Sequence, residues 1–156
     1  MTTSIYHPSP VGILEITADN TVLERVQITA DNRSPQPDTS ANALILAAIQ
    51  QLDEYFAGLR TIFTIPLATA ATPFQRRLRL ELAQIPYGTT ISYSQLARNC
   101  DRPNAARAIA SALAANPLHI VIPCHRVIHA DGTLSGYAAG TAAKRYLLEL
   151  ERKNAR

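Results

Sequence analysis

A cysteine followed directly by a histidine, Cys124 and His125, is the pair of residues in this chain best suited to nucleophilic chemistry. A thiolate is a strong nucleophile only if the pKa of the thiol is lowered, and a neighbouring imidazole is the usual cause. The pair lies in an apolar run, residues 120–128, which predicts a buried strand or a strand that ends in a turn.

The position of the pair in this run leaves two interpretations open. Adjacent strand residues point to opposite faces, so His125 reaches Cys124 only if the chain turns there or a water bridges the two side chains. Pro123 fixes the backbone φ angle just before the sulfur and can hold such a turn. The same run also fits an inert core cysteine.

Composition restricts the class of protein. The 156 residues suffice for one compact domain or two small ones sharing a core, and 47% of them are hydrophobic. The net charge of +3 permits nucleic-acid binding, and most lysines and arginines lie after residue 75, which assigns a polyanionic partner to the second half. Two cysteines, no apolar membrane-spanning stretch and no signal peptide favour free thiols in the cytoplasm.

The first half predicts mixed strand and helix. Residues 11–18 and 22–29 form a predicted hairpin around Asp19-Asn20, residues 41–56 have a helical period, and residues 61–67 are predicted as a short strand. Residues 30–40 are rich in proline and polar side chains and predict an exposed loop. Residues 68–73 are a predicted linker.

The second half is predominantly helical. Helices are predicted over residues 73–83, 92–100, 103–115 and 141–152, and Thr72 and Ser92 are the predicted N-caps of the first two. A hairpin-type turn is predicted at Asp131-Gly132. The second and third of these helices match a helix-turn-helix, although an ordinary helical hairpin has the same spacing. One face of the third helix carries Arg107 among small side chains, which would let a DNA groove approach closely.

These residues give the chain a family resemblance. It resembles the O6-alkylguanine-DNA alkyltransferases in motifs that follow one another along nearly the whole sequence. The matching motifs are Ser9-Pro10-Val11-Gly12, Tyr55-Phe56-Ala57-Gly58, Thr72-Pro73-Phe74-Gln75, Ile85-Pro86-Tyr87-Gly88-Thr89-Thr90-Ile91-Ser92-Tyr93, Ala106-Arg107-Ala108, Asn116-Pro117, Pro123-Cys124-His125-Arg126-Val127, Leu134-Ser135-Gly136-Tyr137 and residues 144–151.

The resemblance implies a role for each site residue. Cys124 would accept the alkyl group, His125 would take the thiol proton through a water, and Glu151 would orient the imidazole. Asn116 would tie the turn around the cysteine, and Tyr93 would donate a proton or hydrogen bond to the leaving guanine. The DNA and substrate contacts implied are Arg107, which fills the gap left by a flipped nucleotide, Ala105, Ala106, Ala110 and Ser92 on the helix pair, and Val127, Tyr137 and Ala138 at the guanine edge.

The same resemblance implies the fold class and the reaction. The expected fold is α+β: a small ribonuclease H-like α/β domain over residues 1–68, then a helical winged-helix-like DNA-binding domain with the helix-turn-helix over residues 69–156. The expected reaction is a single irreversible transfer from O6-alkylguanine in double-stranded DNA to Cys124, with O4-alkylthymine as a second candidate substrate. We expect no cofactor, no metal ion, no membrane and no obligate protein partner, and a monomer on DNA of the bacterial nucleoid.

Two departures and two other functions are part of this prediction. The chain has no tryptophan around Arg79, and Ala138 stands where some relatives have serine.

An alkyltransferase-like protein that only flags damaged guanine is disfavoured by Cys124, because such relatives lack the cysteine. A cysteine hydrolase would turn over repeatedly on an ester and would leave Arg107 and the alanine-rich helix unexplained.

Overall fold

A computed structural model describes residues 2–29, 41–134, 137 and 139–155. The predicted loop over residues 30–40 lies outside the described residues. The chain divides into two compact units, one of Met1–Ala68 and Pro117–Val121 and one of Thr69–Asn116 and Ile122–Arg156. Helices and strands occur in both units, which confirms the α+β fold class. The sequence predicts one boundary between the domains, after residue 68. It does not predict that Pro117–Val121 belongs to the first unit.

In its described residues, the first unit contains a three-stranded antiparallel sheet and one helix. Strands β1 (Thr3–Ser9), β2 (Gly12–Ala18) and β3 (Leu23–Ile28) are ordered β1-β2-β3. Alternate residues of β2 are fully buried and face the core, as expected for a sheet with one apolar face. Helix α1 (Ala43–Phe56) begins at Asn42, whose side chain accepts from the Ile45 N–H. The predicted hairpin and helix are confirmed, whereas β1 was not predicted.

The predicted strand over residues 61–67 is wrong. Among the described residues, this segment pairs only through an isolated bridge between Leu67 and Leu23. The Leu23 N–H donates to the Pro66 carbonyl, and the Ala68 N–H donates back to Leu23. Pro66 has no N–H of its own, so a regular ladder cannot extend through it.

The segment Pro117–Val121 lies along β3. The Val26 N–H donates to the Pro117 carbonyl, and the His119 N–H donates to the Val26 carbonyl. The next residue, Ile120, is buried and has a φ of 74°, a left-handed conformation that costs a β-branched residue about 1–2 kcal/mol. The apolar run over residues 120–128 is therefore bent at its start, and only Val127–Ile128 is strand, which corrects the predicted longer strand.

The second unit contains four helices and a short parallel strand pair in its described residues. These are α2 (Pro73–Ala83), β4 (Ile91–Ser92), α3 (Tyr93–Asn99), α4 (Ala106–Ala114), β5 (Val127–Ile128) and α5 (Thr141–Asn154). The side chains of Thr72 and Ser92 cap α2 and α3 by accepting from Gln75 and Gln95 backbone N–H groups, as predicted.

Two predictions in this unit need correction. Helix α4 begins at Ala106 rather than Pro103, because Asp101 has a φ of 59° and the Ala105 N–H closes a turn on Arg102. The turn at residues 129–133 forms, but it does not join hairpin strands, because β5 pairs in parallel with β4. No helix among the described residues is both long enough and apolar enough to cross a membrane.

Candidate active site

Cys124 lies in a tight turn that the surrounding backbone and one amide side chain hold. Residues Cys124–Arg126 form a short 3-10 helix, and the Cys124 N–H donates to the Ile122 carbonyl at 2.7 Å. Asn116 Nδ2 donates to Cys124 Sγ at 3.2 Å and to the Ile122 carbonyl at 3.4 Å. The chain thus turns at the cysteine, which is the first of the two geometries that would bring His125 near the thiol.

The imidazole of His125 is held by a buried carboxylate. His125 Nε2 lies 2.7 Å from Glu151 Oε2, and neither side chain has more than 1% of its surface exposed. A carboxylate accepts hydrogen bonds only, so Nε2 carries the proton and Nδ1 is the basic nitrogen. Nδ1 is buried and has no hydrogen-bond partner among the described residues. The arrangement leaves one imidazole nitrogen available to take a proton inside the protein.

The carboxylate of Glu151 has further donors. Arg126 forms a two-pronged ion pair with it, Nε to Oε1 at 2.8 Å and Nη2 to Oε2 at 3.0 Å, and the Gly88 N–H donates to Oε1 at 3.3 Å. Burial raises the pKa of Glu151, but the bonds from His125 and Arg126 outweigh it and lower the pKa to about 2. Glu151 is therefore ionised at every physiological pH.

Gly88 is required where it approaches the end of α5. Its φ is 83°, which favours glycine, and a Cβ at this position would lie 2.5 Å from the Cβ of Ala155. A side chain at residue 88 would thus displace the backbone N–H that contacts Glu151.

Burial dominates the acidity of the thiol and of the imidazole. It raises the pKa of Cys124 to about 11, against the opposing effects of the Asn116 hydrogen bond and the Lys144 charge. Burial also lowers the pKa of His125, although Glu151 acts in the other direction. At neutral pH the resting site therefore holds a protonated thiol beside a neutral imidazole.

A buried lysine also acts on the cysteine through its charge. Lys144 is 1% exposed, and its Nζ donates to the Val127 carbonyl at 2.5 Å. Its ammonium group is 5.7 Å from the ring centre of Tyr93 and 6.0 Å from that of Tyr137, distances typical of cation–π contacts. Burial raises the pKa of both phenols, and a charge on Cys124 raises them further. The two tyrosines and the lysine thus lie close enough to Cys124 for their charges to interact with that of the thiol.

The helix pair is connected to this site through the short strands. Ser92, the cap of α3, pairs with Ile128 of β5, and Ile91 pairs with Val127. On α4, Ile109 and Leu113 are buried, whereas Arg107 is exposed near the start of the helix. The exposed face of α4 therefore carries Arg107 among small side chains, as the sequence predicts.

The structure brings together Cys124, His125, Glu151, Asn116 and Tyr93, with Val127 and Tyr137 beside them. Ser92, Ala105, Ala106, Arg107 and Ala110 lie on the helix pair instead, and Ala138 lies outside the described residues. Within the described part of the chain, no three His, Cys, Asp or Glu side chains are grouped as metal ligands.

Sequence reasoning assigned no role to two charged residues of the site, Arg126 and Lys144, although both lie in the matching motifs. A signal for each is present in hindsight. Arg126 is the only charged residue in the apolar run over residues 120–128, and Lys144 shares a buried stripe of α5 with Leu147 and Glu151. Ionisable residues on an apolar face are rarely buried without partners, which is the reason to look for a site there.

A buried thiol beside a carboxylate-held imidazole is typical of proteins that act through a cysteine nucleophile. The family model of the 6-O-methylguanine DNA methyltransferase DNA binding domain matches residues 73–153. The model of the 6-O-methylguanine DNA methyltransferase ribonuclease-like domain matches residues 2–69. The chain belongs to the 6-O-methylguanine DNA methyltransferase family.

Individual relatives agree with this assignment. The methylated-DNA–protein-cysteine methyltransferase of Mycobacterium bovis is 41% identical over 152 residues, which cover 94% of this chain and 90% of that protein. The crystal structure of Mycobacterium tuberculosis O6-methylguanine methyltransferase is 37% identical, covers 100% of this chain and 96% of its own, and has a TM-score of 0.87. Mycobacterium tuberculosis OGT in complex with DNA is 39% identical, with coverages of 96% and 92% and a TM-score of 0.85.

Proposed function

We propose that this protein repairs DNA by transferring the alkyl group of O6-alkylguanine to the sulfur of Cys124. The observation that carries the proposal is the buried 2.7 Å contact between His125 Nε2 and Glu151 Oε2, next to a thiol that Asn116 holds. This cluster lies in the part of the chain that the DNA binding domain of the family matches. Relatives about 40% identical over nearly the whole chain are named methylated-DNA–protein-cysteine methyltransferases.

The reaction is a displacement at the alkyl carbon. His125 accepts the thiol proton at Nδ1 through a water, and the sulfur attacks the carbon bound to guanine O6. The S–C bond forms as the C–O6 bond breaks, and Tyr93 donates a proton or hydrogen bond to the departing guanine. A thioether is not cleaved under these conditions, so each molecule reacts once.

DNA approaches through the helix pair. The small residues Ala105, Ala106 and Ala110, together with Ser92, allow the backbone of a duplex to come close, and Arg107 enters the gap left by the flipped nucleotide. Val127, Tyr137 and Ala138 contact the guanine edge. Support comes from the exposure of Arg107 on α4 and from the relative of known structure that is in complex with DNA.

Several further points belong to the same proposal. Residues 69–156 carry the reaction and the DNA surface, and residues 1–68 form a separate domain. The protein acts as a monomer without an obligate partner or cofactor, takes O4-alkylthymine as a second substrate, and works in the cytoplasm on nucleoid DNA. Two free buried cysteines, Cys100 and Cys124, are consistent with a reducing compartment.

The proposal is tested by the stoichiometry of transfer. Duplex DNA with a labelled O6-methylguanine is mixed in excess with the protein, and label on protein is measured over time. We expect a plateau at one methyl group per protein, and none with Cys124→Ser. Continued turnover, or hydrolysis of an ester without a plateau, would instead favour a cysteine hydrolase. Binding without transfer would favour a protein that only flags the damage.

A further inference from the structure

Arg126 shares the carboxylate of Glu151 with the imidazole of His125. Its Nη2 donates to Oε2 at 3.0 Å, the same oxygen that His125 Nε2 contacts at 2.7 Å, while its Nε donates to Oε1 at 2.8 Å. Its remaining nitrogen, Nη1, donates to the Ile85 carbonyl at 2.8 Å. A planar guanidinium bound in this two-pronged way is fixed in position, and its charge lies directly against the carboxylate.

We propose that Arg126 is a positioning residue that weakens His125 as a base and so keeps the Cys124 thiol protonated until a substrate is bound. The inference rests on the proposed roles of Cys124 and His125 as nucleophile and base. It adds a function for a residue that touches neither the alkyl group nor the DNA in that proposal.

Three charged groups act on His125. Glu151 and Lys144 do so from α5, and Arg126 does so from the same turn as His125. A lone carboxylate would stabilise the imidazolium strongly, because an opposite charge within hydrogen-bond distance favours the ionised form. The guanidinium offsets that negative charge, and Lys144 adds a second positive charge. The imidazole therefore faces two cations and one anion while the thiol is neutral.

The acidities agree with this geometry. Burial lowers the pKa of His125, Glu151 raises it, and the charges of Arg126 and Lys144 lower it by a smaller amount. Lys144, not Arg126, is the cation that acts on the thiol itself. Removal of Arg126 should therefore act on Cys124 through the imidazole: a more basic His125 accepts the thiol proton more readily and forms a thiolate–imidazolium pair.

A protonated resting thiol matters for this protein because, in the proposed reaction, each Cys124 reacts only once. A permanently ionised thiolate reacts with small electrophiles as well as with its substrate, because the thiolate is the reactive form. Each such reaction would inactivate one molecule irreversibly. A weakened base thus preserves the thiol, and the proton leaves only when the alkyl carbon is in place.

The test is a titration of the Cys124 thiol, with the Cys124 Cβ labelled with ¹³C and its NMR shift followed against pH in a Cys100→Ser background. Arg126→Met should lower the titration midpoint of Cys124 by about one unit, whereas Glu151→Gln should raise it. Arg126→Lys, which keeps a charge beside Glu151, should shift it less than Arg126→Met. Arg152→Met, an exposed arginine near the end of α5, is the matched control and should leave the midpoint unchanged.

A merely structural role would predict that loss of Arg126 and loss of Glu151 shift the Cys124 midpoint in the same direction. The proposed role predicts shifts in opposite directions. If Arg126→Met unfolds because it leaves Glu151 unpaired, the comparison is made between Glu151→Gln and the double variant Glu151→Gln/Arg126→Met, which buries neither charge. Loss of Arg126 should lower the midpoint there too. If loss of Arg126 leaves the midpoint unchanged or raises it, in whichever of the two backgrounds folds, the inference is overturned. This titration uses no DNA, so a failure of the proposed transfer reaction appears separately, as absence of label on the protein.

Discussion

The buried carboxylate of Glu151 should make the folded protein sensitive to acid in a predictable range. Its pKa is lowered from 4.5 to about 2 by His125 and Arg126, a difference of about two and a half units. At about 1.4 kcal/mol per unit, ionisation of this one group contributes about 3.5 kcal/mol to the free energy of unfolding. The side chain is only 1% exposed, so little of this is lost to solvent screening.

The sign follows from which state binds the proton first. As pH falls, the carboxyl protonates in the unfolded chain near pH 4.5 but stays ionised in the folded protein until about pH 2. The contribution is therefore complete above about pH 5 and is lost as pH falls through this range, with about 2 kcal/mol gone by pH 3.

Urea unfolding at pH 7 and pH 3 measures the effect. The variant Glu151→Gln has no carboxyl to titrate, so it should lose about 2 kcal/mol less than the wild type between the two pH values. It will be less stable at pH 7, because Arg126 is left without its partner. Glu149→Gln, an exposed carboxyl on the same helix, is the control and should keep the wild-type pH dependence. Equal losses in wild type and Glu151→Gln would refute the assigned acidity of Glu151.

Three further predictions concern the reaction and the thiol. Arg107→Ala should slow repair of duplex DNA more than reaction with free O6-benzylguanine, because only a duplex requires a few kcal/mol for base extrusion; equal losses in the two rate assays would exclude the base-flipping role. His125→Ala should raise the pH at which Cys124 is alkylated, and an unchanged pH profile would remove His125 as the base. Burial raises the pKa of Cys124 to about 11, so the protonated thiol stabilises the folded protein fully below about pH 9, and this stabilisation is lost as pH rises through 11. The midpoint of thermal unfolding should therefore fall less between about pH 9 and about pH 11 in Cys124→Ala than in the wild type, and an equal fall in both proteins would contradict the assigned acidity.

Local sequence signals predicted the elements that local interactions form. Thr72 and Ser92 cap α2 and α3 because their hydroxyls accept from backbone N–H groups three residues on, which is visible in sequence. The left-handed Ile120 was not predictable in this way, because an isoleucine disfavours that conformation and only tertiary contacts impose it. The apolar run therefore predicted a strand where the structure has a bend and a turn.

The candidate site was predictable to a similar extent. The motif around Cys124, His125 and Glu151 indicated the nucleophile and its partners, and the structure brings them together. The burial of Arg126 and Lys144 depends on partners far away in sequence, so it could not be deduced from the spacing of residues alone. The proposed effect of Arg126 on proton transfer rests on the hydrogen bonds that it makes with Glu151 in the folded protein.

The most direct test of the central claim is to identify the residue that receives the alkyl group. The protein is incubated with duplex DNA that contains one O6-methylguanine, digested and mapped by mass spectrometry. We predict that the peptide with Cys124 gains one CH2 unit, at one gain per protein molecule, and that the peptide with Cys100 gains none. A gain on Cys100, or an unmodified protein after guanine has been restored in the DNA, would contradict this account.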